Sequence, residues 1–120
     1  MENAATDLFD AKANLENKRY KVAINRSYYA IFHAVRAVLA LSGFDSKRHS
    51  TIIGYFHQNF ISDGKIEREY YKILTDAFYI RNKSDYEDFY VASADEAKEQ
   101  VEAADKFIIK MRYFLSGGGA

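Results

Sequence analysis

The sequence predicts an all-α protein whose neighbouring helices run near-antiparallel, as an up-and-down bundle. Three observations lead there. Apolar residues recur at steps of three and four along the whole chain, the period of helices buried on one face. Proline is absent, and three of the six glycines lie in the stretch 116–120, so few breakers interrupt the pattern. The turn signals between the apolar runs are short, which favours antiparallel neighbours.

The first helix carries Ala4, Leu8, Ala11 and Leu15 on one stripe. The second runs from about Arg19 to Leu41 through Ile24, Tyr28, Ile31, Val35 and Val38, with Gly43 placed to close it in the left-handed conformation. A third, shorter helix covers roughly Arg48 to Phe60, with Ile52, Phe56 and Phe60 inward, and Ser62-Asp63-Gly64 turns the chain. The fourth carries Ile66, Tyr70, Ile73, Ala77 and Ile80. The connection 84–92 that follows is the longest and least helical; its DFYVA segment favours strand but is too short and isolated to form a sheet. The fifth helix carries Ala97, Val101, Ala104, Ile108, Met111 and Leu115, and Ser93-Ala94-Asp95-Glu96 fits a capping box at its start. The helical domain is expected to span 1–115, with 116–120 as a flexible tail.

A chain of 120 residues, 48% of them apolar, suits one domain with a real core. Seventeen basic and seventeen acidic residues cancel, so no global field draws the chain to a polyanion, and a nucleic-acid role needs a local argument. There is no cysteine, which excludes disulfides, thiolate chemistry and cysteine metal sites and is compatible with a reducing cytoplasm, the expected location. Neither a signal peptide nor an apolar run of membrane-spanning length is present, so no membrane partner is expected. No His-x3-His, His-Glu-x-x-His or paired-carboxylate pattern, no glycine-rich phosphate loop and no Ser/His/Asp arrangement stands out; no metal and no cofactor are expected.

Four constellations carry candidate chemistry. Arg26, Ala30, His33 and Ala37 share a small, polar helix face distinct from the apolar one. Arg26 and His33 there either line a partly buried cleft, or Arg26 pairs with an acid and His33 is an ordinary core-edge histidine; spacing alone favours the second. Tyrosine occurs ten times, and the doublets Tyr28-Tyr29 and Tyr70-Tyr71 each span two helix faces. Tyr28 is expected in the core and Tyr29 at the cleft or a partner surface; packing is favoured over base stacking. Lys47-Arg48-His49, at the start of the third helix, could hold a phosphate on backbone N–H groups, although solvated turn charges are the favoured account. The stretch 81–90, RNKSDYEDFY, puts a cation, Arg81, at a helix C-terminus, where it complements the dipole, with Asp85, Glu87 and Asp88 near enough to neutralise it.

Taken together, AINRSYYAIFHAVRAVL, KRHSTIIGYF, IRNKSDYEDF and SADEAKEQVEAADKFI resemble the HEPN domain family. The likeness is to its small single-domain prokaryotic branch, often encoded beside minimal nucleotidyltransferases. It covers roughly residues 4–115, and its most specific parts are Asn25-Arg26-Ser27-Tyr28-Tyr29-Ala30 and Arg81 with Asp85-Tyr86. The resemblance implies an up-and-down bundle of four main helices plus a short fifth, usually a homodimer. It also implies a small nucleotidyltransferase partner in a toxin–antitoxin-type system, and metal-independent ribonuclease activity in many members. Their motif is Arg, four to six residues, then His, with two motifs facing each other across the dimer. Histidine would move the proton and arginine would bind the scissile phosphate.

This chain departs from that motif. Four intervening residues lead from Arg81 to Tyr86, five to Glu87 and six to Asp88, so the motif is a degenerate Arg-x4-Tyr. A tyrosine with its ordinary pKa near 10 is a poor base at neutral pH. Arg26 and His33 match Arg-x6-His literally, but on the wrong helix. Two functions follow: a HEPN ribonuclease-type toxin component with Arg81, Asp85 and Tyr86 as its motif residues, or a non-catalytic module that binds a nucleotide, RNA or protein. Under either, Arg26, Tyr29, His33 and His49 are the candidate cleft residues.

Overall fold

The computed structural model describes residues 1–87 and 90–118. Five α-helices make up the fold: α1 (Glu2–Glu16), α2 (Tyr20–Leu39), α3 (His49–Phe56), α4 (Arg68–Tyr86) and α5 (Ala94–Leu115). Among the described residues there is no strand, and the fold is the expected all-α, HEPN-like bundle. α1, α2, α4 and α5 are the main helices and α3 is the short fifth. Ala11 near the end of α1 packs with Ala23 and Ile24 at the start of α2 and with Ala97 and Val101 at the start of α5. α1 therefore runs against α2 and α5. Ile80 near the end of α4 joins the same cluster, so α4 also runs against α2.

Local sequence explains the joints. α1 and α2 are linked by a tight turn in which Lys18 adopts φ +61°, and the Arg19 N–H donates to the Asn14 carbonyl at 2.8 Å. After α2 a single 3-10 turn, Ala40–Ser42, ends at Gly43 with φ +68°, the predicted left-handed position. α3 continues through a π-helical turn, His57–Ile61, closed by the Ser62 N–H donating to the His57 carbonyl at 2.8 Å. Together these cover the single helix expected from Arg48 to Phe60. At α5 the Ser93 hydroxyl accepts from the Glu96 N–H at 3.0 Å, the first half of a capping box.

The core gathers Tyr28, Ile31, Val35, Leu39, Ile52, Phe56, Leu74, Phe107, Ile108 and Met111, all fully buried. On α4 the buried line is Tyr70, Leu74, Ala77 and Ser84, while Ile73 and Ile80 are only half-buried, a shift from the expected stripe. The larger correction is at the end of α4. Helix continues through Asp85 and Tyr86, which the sequence assigned to a loop from residue 84. Ser84 is small enough to be buried against the bundle, and Arg81 and Asp85 form an i,i+4 ion pair on the helix surface, so both packing and charge extend it. Asp88 and the tail residues 119–120 lie outside the described residues.

Candidate functional site

Tyr29 is the hub of the site. It leaves α2 beside Tyr28 but on a different face: Tyr28 is 0% exposed, Tyr29 half-buried. The Arg81 guanidinium, arriving from α4, donates from Nη2 to the Tyr29 hydroxyl at 3.1 Å. Its Cζ lies 5.3 Å from the Tyr29 ring centre, 5.6 Å from that of Tyr28 and 6.0 Å from that of Tyr86. The quadrupoles of three rings thus favour the cation where it sits. Arg26 approaches the Tyr29 ring as well, at 5.2 Å. Tyr29 is in turn within ring contact of His33 (6.1 Å) and His49 (6.0 Å).

Arg81 is only 15% exposed, and its neighbours decide what it can still do. Nη1 donates to Asn82 Oδ1 at 3.2 Å. Nε lies 3.0 Å from Asp85 Oδ2, an ion-pair distance. The Nε–H is not aimed at that oxygen, however, and Nε is buried with no hydrogen-bond partner among the described residues. The sequence places Asp85 near enough to neutralise Arg81. The carboxylate, one turn along the continuing helix, supplies charge at close range and no directed bond. Tyr86 is 75% exposed and forms the outer wall.

His49 corrects the sequence reading most. Lys47 and Arg48 are exposed, as turn charges are, but His49 is half-buried and stacked on Phe32 with ring centres 4.1 Å apart. Its Nδ1 lies 2.6 Å from the Tyr28 hydroxyl. Burial, first, and then the Arg81, Arg36 and His33 charges hold the His49 pKa below its ordinary value. Burial pushes the Tyr28 phenol in the other direction, upward, against the pull of Arg81. At neutral pH the pair is therefore an intact phenol beside a neutral imidazole.

Arg26 and His33 meet on a residue the sequence reading passed over, Asp7 of α1. Asp7 is 9% exposed; its Oδ1 lies 3.2 Å from Arg26 Nη1 and its Oδ2 lies 3.5 Å from His33 Nε2. The signal was present: Asp7 falls between Ala4 and Ala11 at steps of three and four, a carboxylate on the buried stripe. Arg26 also donates from Nη2 and Nε to Asn25 Oδ1, at 2.5 and 3.0 Å. So Arg26 is chiefly a structural partner of an acid. His33 has its pKa lowered by burial, a shift that Asp7 opposes and that Arg36 and Arg26 reinforce. It reaches a cavity of about 350 Å³ between the start of α1 and the turn after α2, which Arg36, Phe44 and Asp45 also line.

All seven candidate residues thus belong to one contact network around Tyr29. Arg81, Asp85 and Tyr86 come from α4, Arg26, Tyr29 and His33 from α2, and His49 from α3. The residues missed are Asp7, Tyr28 as the partner of His49, Phe32 and Asn82.

Comparison with known proteins gives a consistent picture. The HEPN domain model matches residues 1–112, a span holding every site residue. "Putative toxin MJ0605" of Methanocaldococcus jannaschii is 34% identical over 115 residues, covering 96% of this chain and 85% of that protein. A "UPF0332 protein" of Thermotoga maritima is 33% identical over 101 residues, 84% of this chain and 76% of its own. "Putative toxin MJ0142" of Methanocaldococcus jannaschii is 27% identical over 107 residues, 88% of this chain and 73% of its own.

Proposed function

The chain belongs to the HEPN family, and we propose that it is the toxin-type member of a two-protein system that engages RNA phosphate through Arg81. Its partner on this reading is a small nucleotidyltransferase, and the protein works in the cytoplasm as a homodimer whose two Arg81 sites share one cleft. The observation that carries the reading is the Arg81 guanidinium. It is fixed by three aromatic rings, yet only two of its N–H groups meet acceptors among the described residues. A fixed planar cation with unfilled donors suits a phosphate oxygen pair. The exposed ring of Tyr86 beside it suits a base flanking that phosphate.

Binding takes precedence over cleavage in this reading because Tyr86 stands where catalytic relatives place histidine. A second reading, metal-independent RNA cleavage, is favoured by one observation: His33 and His49, both held neutral, lie within ring contact of Tyr29. One experiment tests both. The purified protein is mixed with a pool of RNAs in EDTA, and retention and cleavage are measured for wild type, Arg81→Ala and Tyr86→His. Arg81→Ala is expected to lose retention while keeping its helical spectrum. Tyr86→His, which restores Arg-x4-His, is expected to create or raise cleavage that leaves cyclic-phosphate ends. Retention unchanged in Arg81→Ala would remove the proposal. Cleavage by the wild type at a rate Tyr86→His does not exceed would put the second reading first.

A further inference from the structure

The two histidines in contact with Tyr29 are engaged through different ring nitrogens, His49 through Nδ1 and His33 through Nε2. The Tyr28 hydroxyl is fully buried, and its only hydrogen-bond partner among the described residues is His49 Nδ1 at 2.6 Å. A buried hydroxyl needs an acceptor for its proton. With His49 the partner in reach, Tyr28 donates and Nδ1 accepts, so the ring proton of neutral His49 sits on Nε2. That Nε2–H has no acceptor among the described residues, and His49 is half-buried, so part of its ring is open to solvent. His33 is the reverse case. Its Nε2 faces the Asp7 carboxylate at 3.5 Å, which favours the proton on that nitrogen and occupies it.

We infer that His49 is a second anion-binding donor, presented beside Arg81 by Tyr28, so that one phosphate group is held by a guanidinium and an imidazole N–H together. This rests on the reading that Arg81 binds phosphate, and deepens it by naming a second ligand-binding group and the residue that positions it. The placement supports the pairing. Arg81 lies over the ring of Tyr28, whose hydroxyl holds His49, and both Arg81 and His49 pack against Tyr29. Phe32 and Tyr28, stacked on the imidazole at 4.1 and 5.6 Å, fix its plane. The same geometry gives His49 a limited role. A neutral imidazole whose Nδ1 is occupied is a donor and not a base, so His49 binds the anion and does not take a proton from a hydroxyl. Tyr28 is a positioning residue: it touches His49 and not the anion.

The test is long-range 1H–15N spectroscopy on protein labelled at histidine, near neutral pH, with inorganic phosphate and then a short single-stranded RNA added. His49 is expected to show the Nε2–H tautomer, and its Nε2 signal is expected to move on addition of either anion, while those of His33 and the exposed His57 hold still. Tyr28→Phe, which keeps the ring, is expected to mix the His49 tautomers. His49→Phe, which keeps the stacked ring and removes the N–H, is expected to weaken phosphate and RNA binding about tenfold, the loss for one hydrogen bond to a charged group. An Nδ1–H tautomer at His49 would overturn the inference. So would unchanged binding in His49→Phe alongside lost binding in Arg81→Ala, and in that case the Arg81 reading would stand. Binding unaffected by Arg81→Ala would bring down both.

Discussion

Tyr28 and Tyr29 are adjacent in sequence and opposite in duty, and substituting them separates core from site. Tyr28 is wholly buried, with its ring against Tyr29, Phe32, His49 and Phe78 at 5.2 to 5.8 Å between centres. Tyr28→Ala empties an aromatic-sized volume in the core and is expected to cost about 3–5 kcal/mol. Tyr28→Phe keeps that volume and removes only the hydroxyl, leaving His49 Nδ1 without its donor; about 1–2 kcal/mol is expected. Tyr29→Ala removes a half-buried ring, the bond from Arg81 Nη2 and two ring–guanidinium contacts. Those contacts are partly buried, so each contributes about 1–2 kcal/mol; stability should fall less than in Tyr28→Ala, and RNA retention sharply. Urea unfolding followed by circular dichroism measures all three, with an unchanged denaturant slope as the check that the transition is the same one. Equal and large losses from Tyr28→Ala and Tyr29→Ala would refute the division. So would a Tyr28→Phe variant as unstable as Tyr28→Ala, which would mean the hydroxyl and not the ring holds the core.

The remaining predictions concern pH and one turn. His33 and His49 both have folded-state pKa values below the ordinary histidine value, so the unfolded chain binds more protons below about pH 6.5. Their contribution to stability is full above that pH and is lost as pH falls toward the folded values, with a slope of at most about 1.4 kcal/mol per pH unit for each. Asp45 and Glu67, lowered by their bonds to Arg36 and Lys110, act in a separate and more acid window, below their ordinary carboxylate values. The His33→Gln/His49→Gln pair should flatten the profile between pH 7.5 and 5; a wild-type profile already flat there would contradict the assignment. Lys18→Gly should raise stability by about 0.5–1 kcal/mol, because Lys18 holds φ +61° in the turn between α1 and α2 where glycine is unstrained. A lower thermal midpoint for this variant would show that the lysine side chain matters more than the backbone.

Helix positions were legible because they follow from periodicity and capping, both local. The Ile24-to-Val38 stripe, the Gly43 stop and the Ser93 cap all survive in the structure. The end of α4 was not, because Asp, Tyr and Glu in series read as loop when only propensity is weighed. What extends the helix is tertiary: Ser84 is buried against the bundle, and its small size is informative only once the partner helix is known. The candidate residues were nameable from the sequence, Arg81, Asp85 and Tyr86 through the resemblance and Arg26 and His33 through helix-face spacing. The wiring of the site was not. The links from Arg26 to Asp7, Tyr28 to His49 and Arg81 to Tyr29 join residues 19, 21 and 52 positions apart, and no local rule pairs them.

The continued helix also bears on why Arg-x4-Tyr is a different device from Arg-x4-His. On an α-helix the fourth residue after Arg81 is rotated about 40° from it and the fifth about 140°. Asp85 therefore shares the side of Arg81, as the 3.0 Å approach shows, while Tyr86 leaves from another face and is largely exposed. Its ring still comes within 6.0 Å of the guanidinium, so a long aromatic side chain can fold back as a wall. The polar groups nearest the cation are instead the Tyr29 hydroxyl, the Asn82 amide oxygen and the Asp85 carboxylate, and the imidazoles come from α2 and α3. Motif spacing measured along α4 thus misses the groups that surround Arg81. Those groups converge only when α1, α2, α3 and α4 are packed together, so the site is a property of the folded bundle and loss of the Tyr28 core should remove it along with the stability.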